Sequence, residues 1–206
     1  MNVGVLGTGM VGERIASKLV SLGHTVTIGS RTADNAAATT WARGAGSRAR
    51  AGTFADAAAF GAVLFNCTRG SASLSALRAA GSQNLNGKVL VDVANVLPPD
   101  EGGPRSLGEQ IQDAFPAAKV VKTLNTVNCD VMVNPASVAG QHSVFVSGND
   151  AAAKRQTLAL LESFGWVDII DLGDITTARA TEAYLPLWVA LWRKLGTAAF
   201  NVAVVR

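Results

Sequence analysis

Three glycines at positions 7, 9 and 12, in the run Gly7-Thr8-Gly9-Met10-Val11-Gly12, have the spacing that holds a pyrophosphate. Gly7 permits a tight strand-to-helix turn, Gly9 lets the backbone approach the phosphates, and Gly12 lets the helix pack closely on the strand. The anion then rests on the helix N-terminus, where unpaired N–H groups and the helix dipole favour negative charge. Ser30, Arg31 and Thr32 stand where sites selective for NAD place an Asp or Glu on the ribose 2′-hydroxyl. A carboxylate there repels a 2′-phosphate. Arg31 instead offers a planar, bidentate clamp, supplemented by the hydroxyls of Ser30 and Thr32, so these residues predict NADP(H) over NAD(H).

Such residues work only if a βαβ unit holds them. Residues 3–6 are apolar and read as a strand, and Val11, Ile15 and Leu19 recur at four-residue spacing with Ala16 and Val20 beside them, one apolar helix face. Gly23 ends that helix, and residues 25–28 alternate as a second strand, completing the unit within about 30 residues. Strand and helix signals continue to alternate, which predicts an α/β chain with a Rossmann-type, doubly wound, mainly parallel sheet. Helices are expected over residues 34–42, 55–60 and 74–80, and further strands within 47–53 and over 62–65, 89–93, 119–124 and 143–147. Pro98, Pro99 and Pro104 with Gly102 and Gly103 read as a loop bordering a site. Asn149 or Asp150 caps the next helix, which closes at Gly165; residues 166–170 read as extended. The tail, residues 176–205, reads as a helical extension interrupted near Pro186. The expected organisation is one compact unit, with residues 1–125 forming the dinucleotide-binding core and residues 126–206 closing an acceptor site.

In open α/β sheets ligands bind beyond the C-terminal strand ends. Those positions hold Asn66, Cys67, Thr68 and Arg69, then Asp92, Ala94 and Asn95, then Asn125, Thr126 and Asn128. This predicts a crevice lined by neutral hydrogen-bonding groups: Thr68 and Arg69 reach the ribose or pyrophosphate, Asn95 orients the nicotinamide, and Asn125 and Thr126 help orient an acceptor. The Tyr-x-x-x-Lys proton donor is absent, since Tyr184 is followed four residues on by Trp188, and there is no GxSxG elbow. Reducing an unactivated ketone requires a positioned proton donor. A stacked heterocycle that delocalises charge asks mainly for orientation and exclusion of water. Trp188, Trp192, Leu195 and Phe200 either close the acceptor pocket, form a homodimer seam or pack on their own core.

With 16% charged residues and a net charge of +3, no Lys or Arg cluster suggests nucleic acid. No apolar run is long enough to span a membrane, and the strand that follows Met1 leaves no room for a leader, so a cytoplasmic protein is expected. Cys67 and Cys129 lack paired spacing and read as reduced thiols; His24 and His142 read as unliganded, so no metal is expected.

The motifs GTGMVG, TIGSR, KTLNTV, VFVSGND and ARATEAYLPLW together resemble the NADPH-dependent reductases of the deazaflavin coenzyme F-420. The NTV segment and the VDVAN run are also similar to the oxidoreductase domain of transmembrane ferric reductases. The resemblance implies a Rossmann fold, NADP(H) held by Thr8, Gly9, Met10, Val11, Ser30 and Arg31, and hydride exchange with F-420. Asn35 replaces a lysine that assists in the family, and Asn125 stands where archaeal members carry a histidine, as in the ferric-reductase variant. Arg179 and Glu182 match a family pair, and their i,i+3 spacing equally suits a surface ion pair. A flavin or ferric reductase is the alternative enzyme, and a non-catalytic NADPH sensor the alternative of another class.

Overall fold

The computed structural model describes residues 1–96 and 105–206. Among them, eight strands form one sheet in the order β3-β2-β1-β4-β5-β6-β7-β8. The strands are β1 Asn2–Leu6, β2 Thr25–Ser30, β3 Ala49–Thr53, β4 Val63–Asn66, β5 Val89–Asp92, β6 Lys119–Thr123, β7 Ser143–Gly148 and β8 Asp168–Gly173. Pairing is parallel from β3 through β6; β7 runs antiparallel to β6, and β8 parallel to β7. The chain leaves β1 in one direction for β2 and β3 and returns to β4 on the other side. That reversal makes a crevice at the C-terminal ends of β1 and β4.

Strands buried on both faces split their side chains between two cores. Val3, Val5, Val63, Phe65, Val91 and Val121 join one cluster with Ile15 and Leu19 of helix α1 (Met10–Ser21), Trp41 of α2 (Ala36–Ala45), Met132 of α7 (Cys129–Val133), and Leu161 and Phe164 of α8 (Ala151–Phe164). Leu6, Leu64, Leu90 and Val120 point the other way. They pack on Ala57 of α3 (Phe54–Phe60), Leu77 of α4 (Gly70–Ala80), Leu85 of α5 (Ser82–Leu85), Ile111 of α6 (Leu107–Ala114) and Ala178 of α9 (Ala178–Ala183). The fold is therefore the expected doubly wound α/β sheet with helices on both faces.

Capping accounts for several boundaries. Thr53 and Asp56 form a capping box on α3, as Ser106 and Glu109 do on α6. Asn35 caps α2 through a bond from Ala38 N, so that helix starts at Ala36 and not at residue 34. Asp150, not Asn149, caps α8, and Gly165 ends it in the left-handed region. Helix α4 opens at Gly70, four residues before the expected start. Its first turn is too poor in large apolar residues for periodicity to register.

The tail differs most from expectation. Pro186 sits in the first turn of α10 (Leu185–Leu195), where its missing N–H costs nothing, and Gly196 ends that helix in the left-handed region at φ 69°. Residues 197–206 are not helical. Ser143 N donates to Val202 O at 2.9 Å, and Arg206 bonds Asp168, so the last residues lie against the starts of β7 and β8. The Pro- and Gly-rich loop around Pro98, Pro99, Gly102, Gly103 and Pro104 lies outside the described residues, and among those described no helix is long and apolar enough to cross a membrane.

Candidate functional site

The turn from β1 into α1 is built by steric exclusion. Gly7 has φ +118°, and a Cβ there would lie 2.6 Å from Cys67 O. A Cβ on Gly12 would lie 2.0 Å from Gly7 O. Gly9 is different, because a Cβ there would meet no atom within 4 Å. It is the N-cap of α1, and no side chain caps that helix, so its first N–H groups stay free for an anion. Thr8 is half-buried, Met10 is exposed and Val11 half-buried.

Beside this turn lies a cleft of about 480 Å³ between the ends of β1, β4, β5 and β6 and the start of α10. It brings together Gly9, Met10 and Val11 with Thr68, Arg69, Asn95 and Asn125, and adds Asn128, Cys129 and Met132. Leu185 and Trp188 of α10 form one apolar wall. Burial pushes both Cys67 and Cys129 thiols up, so they enter the lining as neutral groups. Among the described residues that line it there is no Asp, Glu, His, Lys or Tyr.

Asn95 and Asn125 spend their amides on each other. Asn95 Nδ2 donates to Asn125 O at 2.6 Å, and Asn125 Nδ2 donates to Asn95 Oδ1 at 3.1 Å. Leu124, just before Asn125, is the one non-glycine described residue with positive φ, at 60°. That strained backbone turns the chain sharply out of β6 at the cleft floor. Thr126 is buried, and its Oγ1 has no partner among the described residues; Trp188 Nε1 shares that condition. An unpartnered buried donor is costly and marks where a ligand or water is wanted.

Ser30, Arg31 and Thr32 lie outside the cleft at the next strand end, where Gly29 pairs with Leu6 and Gly7 N donates to Gly29 O at 2.9 Å. Ser30 is buried and its hydroxyl bonds the Thr32 backbone, donating to the carbonyl at 2.5 Å. It fixes the turn that carries Arg31, while Arg31 and Thr32 are exposed.

Beneath the neutral lining read from the sequence lies a buried charged cluster. Asn66, Asp92 and Lys122 share one sheet face, Asp92 pairing with Asn66 and Lys122 in register. Thr68 Oγ1 donates to Asn66 Oδ1 at 2.6 Å, so its hydroxyl points into the protein and not toward a ribose. Asn66 Nδ2 donates to Asp92 Oδ1 at 2.8 Å, and Lys122 Nζ donates to Asp92 Oδ2 at 2.8 Å and to Ala94 O. Burial opposes the charge on Lys122, yet Asp92 and Glu182 together raise its pKa above the usual lysine value. A lysine at the buried end of the strand 119–123 is the signal in the sequence for this cluster, but nothing local to it identifies its partners.

Arg179 and Glu182 do not pair with each other. Arg179 donates to both carboxylate oxygens of buried Glu109, while Glu182 receives Lys122 at 2.9 Å and caps α6 through Leu107 N and Gly108 N. Sequence spacing cannot reveal such partners, since α6 is some 70 residues away. The Arg179 hydrogen bonds hold Glu109 well below the usual carboxylate range, at about 2, with Ser106 assisting against the opposing effect of burial. A depressed carboxyl stabilises the fold above its unfolded pKa and loses that effect as pH falls through its folded value. Thermal melts should therefore show Arg179→Gln less stable than wild type at pH 7, with the gap closing between about pH 4.5 and 2. A gap independent of pH would refute the assignment.

Fold and cleft define an NADP-dependent oxidoreductase of the Rossmann class. Residues 2–96 match the family model described as NADP oxidoreductase, coenzyme F-420-dependent. The chain is 49% identical to a protein from Arthrobacter sp. FB24 described as a candidate F-420-dependent NADP reductase, with a TM-score of 0.94 and all of both chains covered. The chain belongs to this family. Metalloreductase STEAP3 of Rattus norvegicus is 29% identical over 90% of this chain and 37% of its own length; metalloreductase STEAP2 of Homo sapiens is 31% identical over 58% and 24%. The chain thus spans between 24% and 37% of the length of these curated relatives. An imine reductase from Streptomyces aurantiacus, at 22% identity and a TM-score of 0.69 over 95% of this chain and 64% of its own, shares the fold.

Proposed function

We propose that the cleft transfers hydride between NADP(H) and the deazaflavin coenzyme F-420. The observation carrying this reading is a cleft whose described lining residues include no carboxylate, imidazole, amine or phenol, beside an uncapped helix N-terminus and an open Gly9. Bound NADPH supplies a hydride from its nicotinamide ring. The chain's part is placement: the α1 N-terminus and Gly9 take the pyrophosphate, Arg31 and Thr32 take the 2′-phosphate, and Arg69 at the cleft rim reaches the phosphates. The Asn95–Asn125 pair forms a rigid floor under the nicotinamide and acceptor rings. Trp188, in the lining, has an indole N–H without a partner among the described residues, and with Leu185 it excludes water; Thr126, expected to orient an acceptor, is buried behind the lining. A flat ring that spreads negative charge needs no protein acid, which is what this lining provides.

A flavin or ferric acceptor is the second reading. It is favoured by Asn125, which stands where archaeal relatives of the F-420 type carry histidine, and by the similarity to metalloreductases. One anaerobic experiment separates the readings: oxidation of C4-deuterated NADPH with F-420, FMN and FAD in parallel. We expect turnover with F-420 and deuterium retained on its reactive ring carbon. Asn125→Ala should lower turnover by about tenfold without a new ionisation in the pH profile. Product carrying only solvent hydrogen would refute direct transfer, turnover with flavin alone would move the acceptor to that class, and none at all would leave a sensor of NADPH.

A further inference from the structure

An unbroken run of buried polar contacts joins the two sides of the cleft. It starts at Thr68 in the lining, passes through Asn66 and Asp92 to Lys122, and ends on Glu182 of α9. Lys122 is completely buried and acts as a tripod on Asp92, Glu182 and the carbonyl of Ala94, the residue just before Asn95. Glu182 is equally committed: Oε1 takes Lys122 Nζ at 2.9 Å and Gly108 N at 3.1 Å, and Oε2 takes Leu107 N at 2.7 Å.

Beyond Glu182 the chain passes almost without a break into the apolar wall. Trp188 N donates to Tyr184 O at 3.1 Å across the junction of α9 and α10, so the helical turn continues and a rotation of α9 carries α10 with it. Among the described residues helix α10 has little other support. Leu185 is its one buried residue, Trp188 is stacked on Phe200 at 5.4 Å, and Leu187, Trp192 and Leu195 are about half exposed. The orientation of Leu185 and Trp188 therefore depends on how α9 is held.

From this geometry we infer that the Asp92–Lys122–Glu182 cluster is a latch. It sets the acceptor-facing wall, Leu185 and Trp188, against the backbone of Ala94 and Asn95, and so fixes the gap into which the acceptor ring slides. Glu182 is thus a positioning residue, acting through α10 and touching neither ring. The ionic chemistry suits this task, because a buried charge cluster adds little stability over apolar packing, whereas its many directional bonds define one geometry. The inference rests on the cleft being the cofactor and acceptor site.

Glu182→Gln keeps the shape but puts an amide where a charge met Lys122. Relative to wild type, the KM for F-420 should rise about tenfold or more while the dissociation constant for NADPH stays within about twofold and kcat within about threefold. Amides of α9 and α10 should exchange about tenfold faster, with those of β1 and α1 unchanged. A merely structural role would move stability and exchange but leave KM and kcat unsplit. An unchanged KM, or exchange rising uniformly along the chain, would overturn the latch. If Glu182→Gln does not fold, Arg179→Gln releases the second anchor of α9 at a half-exposed site, and the same split is expected at about threefold; its absence is equally decisive. Wild type that neither binds NADPH nor reduces F-420 would instead defeat the reading of the cleft, while the exchange measurement would still test whether Glu182 holds α10.

Discussion

Gly9→Val is expected to give a folded protein whose affinity for NADPH has fallen by at least about a hundredfold, or roughly 3 kcal/mol. The three glycines of the turn do different work. At Gly12 an added Cβ would sit 2.0 Å from Gly7 O, deep between α1 and β1, so any side chain forces helix and strand apart. At Gly9 an added Cβ meets nothing within 4 Å, and the backbone dihedrals, φ −81° and ψ −179°, are extended and open to any residue. The protein itself therefore has no use for a missing side chain at position 9. A phosphate group approaching the free N–H groups of α1 does, because a branched side chain occupies the volume it must enter. Circular dichroism and thermal melting should match wild type for Gly9→Val, while NADPH titration should show no saturation. Gly12→Val should do the reverse and lose stability by about 1–3 kcal/mol or more. Normal NADPH binding by Gly9→Val would mean the glycine serves only the turn and the phosphate site lies elsewhere.

How much of this was legible in the sequence depended on the range of the interaction that decided it. The βαβ start, the alternation of strands with helices and the two covered faces of the sheet follow from local periodicity and turn chemistry, whereas the order of the strands and the antiparallel β7 do not; Gly7, Asp150 and Gly165 each announce a boundary through short-range geometry. Gly196 ends the tail helix by the same chemistry, whereas the expected helix continues through Val205 because Thr197 to Val205 stays compatible with a helix in composition. Met132 of α7 and Leu185 of α10 reach the cleft only through tertiary packing, whereas Thr68, Arg69, Asn95 and Asn125 could be listed from strand ends alone, since a doubly wound sheet collects them at one edge. What those side chains do there could not. Ser30 turns onto the Thr32 backbone, Thr68 onto Asn66, and Asn95 onto Asn125, all choices set by neighbours in space. The charged cluster beneath them is the strongest case: Lys122, Asp92 and Glu182 come from three elements, and Arg179 reaches past its helical neighbour to Glu109. Period and spacing carry no trace of such pairings.

Arg31→Glu is expected to reverse a preference for NADPH over NADH. Ser30 is buried and fastened to the Thr32 backbone, so the turn is rigid, and it places Arg31 outward at the end of β2, one strand from the pyrophosphate turn. The guanidinium is exposed and carries no ion pair among the described residues, so it is free to take a phosphate. A charge-assisted contact of this kind contributes about 1.5–3 kcal/mol, one to two decades of affinity. Replacing it by a carboxylate removes that contact and adds repulsion toward the 2′-phosphate, while offering the ribose 2′-hydroxyl of NADH an acceptor. The measurement is the ratio of the two dissociation constants in wild type and variant at fixed ionic strength, because an exposed contact weakens as salt rises. Asn35 adds a second constraint. Its side chain is occupied in capping α2 and brings no charge, so discrimination falls chiefly on Arg31. Arg31→Ala should then abolish most of the preference, and Arg31→Glu should invert it. Equal affinity of wild type for both cofactors would refute the assignment.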